Sequence, residues 1–134
     1  YLFQKGIKKV YSSLGASDLE LNISAENDFT ISLRKLLRSN QSLQSKLLKH
    51  TGALPMIFQY NPTDFLIESS EAGELIVTIG RPDYISPKVR YNIHDRGHTL
   101  SIKDLYSILK SLNIIILGFF DLNIIRRLNP NLNL

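Results

Sequence analysis

The spacing of apolar positions changes several times along the chain, and each change marks an element. Leu2, Phe3, Ile7, Val10, Tyr11 and Leu14 recur at helical intervals, with Lys5, Lys8 and Lys9 on the other side, which predicts an amphipathic helix over residues 2–14. Gly6 weakens that helix. Residues 15–26 are rich in Gly, Ser, Asp and Asn and read as a connector, with a short strand near 19–23. The strongest helical pattern follows. Phe29, Leu33, Leu36 and Leu37 form one stripe; Leu43, Leu47 and Leu48 form a second. Asn27 or Asp28 can cap the start, and Thr51-Gly52 can close the end. Ser39-Asn40-Gln41-Ser42 lies between the stripes, and such residues compete for backbone hydrogen bonds. The segment therefore reads as two helices, 28–39 and 42–50, with one long helix as the alternative.

Met56, Phe58 and Tyr60 alternate, so residues 54–60 read as a short strand or extended link. Asn61-Pro62 combines a capping side chain with a first-turn proline, which predicts a helix closed by Gly73, with Phe65, Leu66 and Ser69 facing inward. Leu75, Val77 and Ile79, then Val89, Tyr91 and Ile93, alternate with polar or less buried neighbours and predict a β-hairpin over 74–80 and 88–95. Pro82 and Pro87 keep its tip out of the ladder. Ser101 and Asp104 have capping-box spacing ahead of a helical stripe of Leu105, Ile108, Leu109 and Leu112, which Asn113 ends. The most apolar run follows and predicts a buried strand over 114–118, then a second strand or short helix over 119–128.

These elements amount to an α+β chain of 134 residues, enough for one domain with a real core. It divides into an N-terminal helix and connector (1–26), a central core (27–95) and a C-terminal helix with apolar strands (96–134). The start at Tyr1, without a signal-like segment, suggests the C-terminal part of a larger protein. The absence of Cys excludes a disulfide framework and thiolate chemistry. No apolar run approaches the roughly 18–20 residues that span a bilayer, so no membrane contact is expected. A nuclear or cytoplasmic setting fits. The net charge of +4 permits an acidic partner without requiring one.

The order helix, helix, strand, helix, hairpin over residues 28–95 resembles a winged helix. Leu47-Leu48-Lys49-His50-Thr51-Gly52, then Phe65-Leu66-Ile67-Glu68-Ser69 and Glu74-Leu75-Ile76-Val77, is similar to two branches of that superfamily. One is the LOTUS (OST-helix-turn-helix) type. The other is the C-terminal winged helix of origin-recognition initiators and their yeast silencing relatives. The resemblance covers about half the chain and rests on element order and apolar spacing. It implies a three-helix core with a hairpin wing, to which an N-terminal helix and a C-terminal helix-strand extension are added. It also implies a non-catalytic role in a nuclear, chromatin- or RNA-associated protein: protein interaction, dimerisation or nucleic-acid binding.

Three groups of residues are candidates for function. The apolar run, above all Ile115, Leu117, Phe119 and Phe120, is either core or a surface for a protein partner or a second copy. Arg34, Lys35, Arg38, Lys46 and Lys49 precede the proposed third helix, and Arg81, Lys88 and Arg90 flank the hairpin tip. Together they could grip a phosphate backbone without reading sequence, or simply form a solvated face. The proposed third helix is itself a poor groove reader, because it carries Asp64 and Glu68 with Glu71 and Glu74 just beyond. His94, Asp95 and His98 lie close in sequence but lack a fourth ligand, and a polar loop is the favoured reading. With no nucleophile motif and no phosphate-binding loop, no catalytic residue, metal, cofactor or small-molecule substrate is expected.

Overall fold

A computed structural model describes residues 10–19, 21–48, 53–82 and 87–114, and it is mixed α/β, with three α-helices and two small antiparallel sheets. The first helix, α1 (Asp28–Ser39), begins at Asn27, where side chain and backbone exchange bonds. Asn27 Oδ1 accepts from the Thr30 N–H at 2.9 Å, and Thr30 Oγ1 accepts from the Asn27 N–H at 2.9 Å. Two of the donors that a helix start leaves unpaired are thereby satisfied. The helix ends at Asn40, which is extended and starts α2 (Gln41–Leu47) by accepting from the Leu43 N–H at 2.9 Å. The split reading is therefore the correct one. Gln44 Nε2 reaches back to the Leu37 carbonyl at 2.6 Å and fixes the corner.

The third helix, α3 (Ile102–Ser111), is capped by Ser101, whose hydroxyl accepts from the Asp104 N–H at 3.0 Å and donates to Asp104 Oδ2 at 2.6 Å. It ends at Asn113, which turns to a φ of 52°. Leu33, Leu37, Leu43, Leu47, Leu105 and Leu109 are buried together, with Phe29, Ile57, Ile108 and Leu112 packed around them. Burying each leucine side chain favours folding by about 1.5–3 kcal/mol, so this cluster dominates the association of the helices.

The first sheet runs β1 (Ser13–Ala16), β2 (Leu21–Ala25), β3 (Gln59–Tyr60), all antiparallel. Residues 10–14 are thus extended or strand, contrary to the expected helix over 2–14, whose remaining residues lie outside those described. In β1 only Leu14 and Ala16 are half-buried, a period of two rather than a helical stripe.

The second sheet is a meander of β4 (Phe65–Ser69), β5 (Glu74–Ile79) and β6 (Tyr91–Arg96). This corrects the expected helix over 61–73. Asn61-Pro62 does start a helical turn: the Asn61 carbonyl accepts from the Phe65 N–H at 3.0 Å, and Asn61 Oδ1 accepts from the Thr63 N–H at 3.1 Å. The turn stops there. Phe65 and Ile67 are buried, while Leu66 between them is 58% exposed, so the apolar period is two and the segment is a strand. Gly73 does not close a helix. It sits at a φ of 78° in the turn joining β4 to β5, a conformation glycine adopts without steric cost.

The hairpin of β5 and β6 forms as expected, with one difference. Val89 is 74% exposed, because β6 begins only at Tyr91 and Arg90 takes a φ of 51° just before it, turning Val89 out of the ladder. Leu19 and Ile23 are buried in one cluster with Phe65, Ile67, Val77 and Ile79, so the two sheets share a core. Gly97 follows β6 and lies against Leu75, where an added Cβ would meet Leu75 Cδ1 at 3.2 Å. The strand expected over 114–118 and the element over 119–128 lie outside the described residues, apart from Ile114, which packs on the helix cluster.

The strand assignment makes a direct prediction. Ile67→Ala should cost about 2–5 kcal/mol in a denaturant titration, whereas Leu66→Ala should stay within about 0.5 kcal/mol. A helix burying Leu66 would make Leu66→Ala the costly change.

Candidate interaction surfaces

α3 presents one broad apolar face. Leu105 and Leu109 are buried against α1 and α2. At the margin of this face Ile102 is 43% exposed and Tyr106 is 37% exposed, four residues apart and so neighbours on the helix, with Leu100 at 42% just before them. The sequence carries this signal in the i, i+4 spacing of Ile102 and Tyr106. Ile114, where the apolar run begins, is packed on the helix core. Ile115, Leu117, Phe119 and Phe120 lie outside the described residues.

The basic candidates separate into two groups. Lys35 and Arg38 are exposed on α1, with Arg34 beside them at 3.8 Å from Glu26 Oε1. Lys46 on α2 donates to Ser111 Oγ of α3 at 2.8 Å, which ties the two helices together. Lys49 lies outside the described residues. The hairpin cations are engaged within the fold. Arg90 Nη1 donates to both carboxylate oxygens of Glu68, at 2.7 and 2.9 Å, and Lys88 Nζ lies 5.5 Å from the Tyr91 ring centroid. Arg81 is half-buried and also engaged. Among the seven described basic candidates, the helix cations and the hairpin cations thus have different surroundings.

Asp64 and Glu68, expected on a helix, and Glu74, expected just beyond it, are distributed around the strands. Asp64 ends the turn before β4 and takes a bond from Asn61 Nδ2 at 3.0 Å. Glu68 holds Arg90. Glu74 accepts from Asn92 Nδ2 at 2.7 Å and lies 3.7 Å from His94 Nδ1. These contacts hold the Glu74 carboxyl below the usual glutamate range. The Asn92 bond is the largest cause; desolvation opposes it, and the His94 charge, a His94 hydrogen bond and the Arg96 charge add to it.

The histidines face different elements. His94 is kinked at a φ of 62°, and its N–H donates to Asn92 Oδ1 at 2.8 Å. His98 points at the end of α2, with Nε2 at 3.2 Å from the Leu47 carbonyl. Among the described residues no group of three His, Asp or Glu side chains is placed to hold a metal ion, and no helix is long and apolar enough to cross a membrane. Comparison with protein-family models, curated proteins and solved structures gives no match.

The Glu74 contacts predict a pH effect of definite sign. Because its folded pKa is lowered, its stabilising contribution is fully present above the ordinary glutamate pKa and is lost as pH falls through the lowered value. Asn92→Ala should move the Glu74 titration up towards the ordinary value, read from its side-chain carboxyl carbon by NMR. An unmoved titration would show that Asn92 is not the cause.

Proposed function

We propose that this chain is a non-catalytic protein-interaction or self-association domain. The observation that carries this reading is the exposed apolar group of Leu100, Ile102 and Tyr106 around the first turns of α3, beside its buried leucines. This helix leads directly into the apolar sequence 114–125, which contains Ile115, Leu117, Phe119 and Phe120. Burial of apolar surface supplies the affinity, at about 25 cal/mol per Å² before the costs of association. The acidic residues around β4 and the hairpin supply selectivity by disfavouring like-charged partners. Of the winged-helix order, the two helices α1 and α2 and the later hairpin of β5 and β6 are present, while β4 stands where the third helix was expected. On that likeness the host protein belongs to a nuclear, chromatin- or RNA-associated assembly.

Sedimentation velocity over a concentration series tests the homodimer form. The expected result is reversible self-association that Ile102→Asp weakens by about tenfold or more while the circular dichroism spectrum is unchanged, as expected for an apolar side chain central to an interface. A strict monomer at every concentration overturns that form.

One observation favours a second reading. Lys35 and Arg38 are exposed on α1, and α2 beside it carries no carboxylate. A pair of helices of this kind can contact a phosphate backbone without reading bases. Binding to random duplex should then strengthen as salt falls, and combined Lys35→Glu and Arg38→Glu should abolish it. No binding at low salt removes this reading.

A further inference from the structure

The described sheets end in strands of unequal regularity. β1 is irregular between Leu14 and Gly15, and β3 has only two residues. β6 is displaced from β5 by a register shift, contains the left-handed His94 and ends in charged Asp95 and Arg96. Bulges and charges of this kind blunt a sheet edge against pairing. β4 has no bulge and no left-handed residue, and its one charge, Glu68, is paired with Arg90. It pairs with β5 from Phe65↔Ile79 to Ser69↔Leu75 in unbroken register, and no described strand lies on its other side.

The bonds at the two ends of that ladder show which backbone groups face away from β5, where no described strand lies. The Gly80 N–H donates to the Asp64 carbonyl at 2.7 Å, and the Ser70 N–H donates to the Glu74 carbonyl at 2.8 Å. In an antiparallel ladder alternate residues bond the neighbouring strand, so Asp64, Leu66, Glu68 and Ser70 aim their backbone at β5. Phe65, Ile67 and Ser69 aim theirs at the open side. Asn61 O already accepts from the Phe65 N–H at 3.0 Å, which leaves Ile67 and Ser69 as the donors.

We infer that this edge pairs with β4 of a second copy of the chain, antiparallel about a two-fold axis at Ile67, joining the two meanders into one continuous sheet. The charges select this arrangement. With the axis at Ile67, Ile67 faces its own copy, Phe65 faces Ser69, Leu66 faces Glu68, and Asp64 faces Ser70. No two carboxylates are opposed. Moving the axis to Leu66 sets Glu68 opposite Asp64. Moving it to Glu68 sets that carboxylate opposite itself. Intermediate positions pair backbone groups that point at β5. Like charges directly opposed destabilise a strand pair, which removes the axes at Leu66 and Glu68; an axis at Phe65 or Ser69 opposes no carboxylates but leaves most of the five-residue strand without a strand partner, so the register centred on Ile67 is the one favoured. In that register the two Leu66 side chains, each 58% exposed in the single chain, become diagonal neighbours on the outer face. Each copy contributes the Ile67 N–H to the partner's Ile67 carbonyl, and the Ser69 N–H to the partner's Phe65 carbonyl. This surface is separate from α3, and the inference does not depend on the apolar run.

Two substitutions at Ser69 separate edge pairing from other effects. Both Ser69→Ala and Ser69→Pro lose the hydroxyl bond to the Gly97 carbonyl, 3.1 Å long. Only proline removes the N–H on the open side, where an edge strand tolerates it because β5 does not use that donor. Sedimentation equilibrium should find a dimer that Ser69→Ala retains and Ser69→Pro weakens by roughly tenfold or more, from one lost main-chain bond per copy. Amide exchange on the unaltered chain gives a check independent of any variant's folding. Protection of the Ile67 and Ser69 amides should rise with protein concentration. Protection independent of concentration, equal effects of alanine and proline, or a dimer indifferent to Ser69→Pro would each overturn the inference. A dimer indifferent to Ser69→Pro but weakened by Ile102→Asp would leave the α3 reading standing.

Discussion

Val77 and Leu19 are both fully buried, and the shared core of the two sheets depends on their lying in the same place. Leu19 belongs to the short turn before β2, whereas Val77 is on the central strand of the other sheet. Neither sheet is large enough to bury an apolar face alone, since isolated small sheets are marginal in water. Each covers the other, and the strand alternation Phe65-Ile67 facing Val77-Ile79 becomes obligatory once the cover is in place. A slip of one residue in β4 would turn Phe65 and Ile67 to solvent and bring Leu66 and Glu68 into the core. The same constraint leaves Leu66 and Glu68 outside and aims the backbone of Ile67 and Ser69 away from β5, where no described strand lies.

The helices solve a parallel problem with local rules. Asn27, Asn40 and Ser101 each place a side-chain oxygen on orphan N–H groups, so every described helix begins at a residue that can cap it. Asn40 both ends α1 and starts α2, which lets the stripes Leu33-Leu37 and Leu43-Leu47 converge on α3. Polar contacts also join these elements: Lys46 to Ser111 joins α2 to α3, and His98 bridges the segment after β6 to the end of α2. These contacts orient the elements, while the leucines supply most of the energy, because a neutral or surface hydrogen bond nets only about 1 kcal/mol.

Charge placement makes the hairpin a poor grip for a polyanion. A phosphate-binding hairpin would need cations free to meet phosphate. Here Glu68 holds Arg90 and Tyr91 underlies Lys88, so the fold compensates these charges itself. Removing either from its partner would offset part of any gain from a polyanion. Leu100, Ile102 and Tyr106, by contrast, are large apolar side chains left partly exposed at α3.

The starts of α1 and α3, the break at Asn40, the pairing of β5 with β6 and the leucine core were legible from the sequence alone, because each rests on a periodicity longer than one turn or on a capping residue next to it. The stretch from Asn61 to Gly73 was not. Its first residues carry a true helix-start signal, and one turn forms, but five strand residues are too few for a helical stripe to be told from alternation. Whether Leu66 or Ile67 faces inward is decided only by the sheet that covers them. The free edge of β4 is likewise a property of the tertiary structure. Sequence lists the residues of a strand, but only the pairing of β5 on one side shows which backbone groups are left for the other.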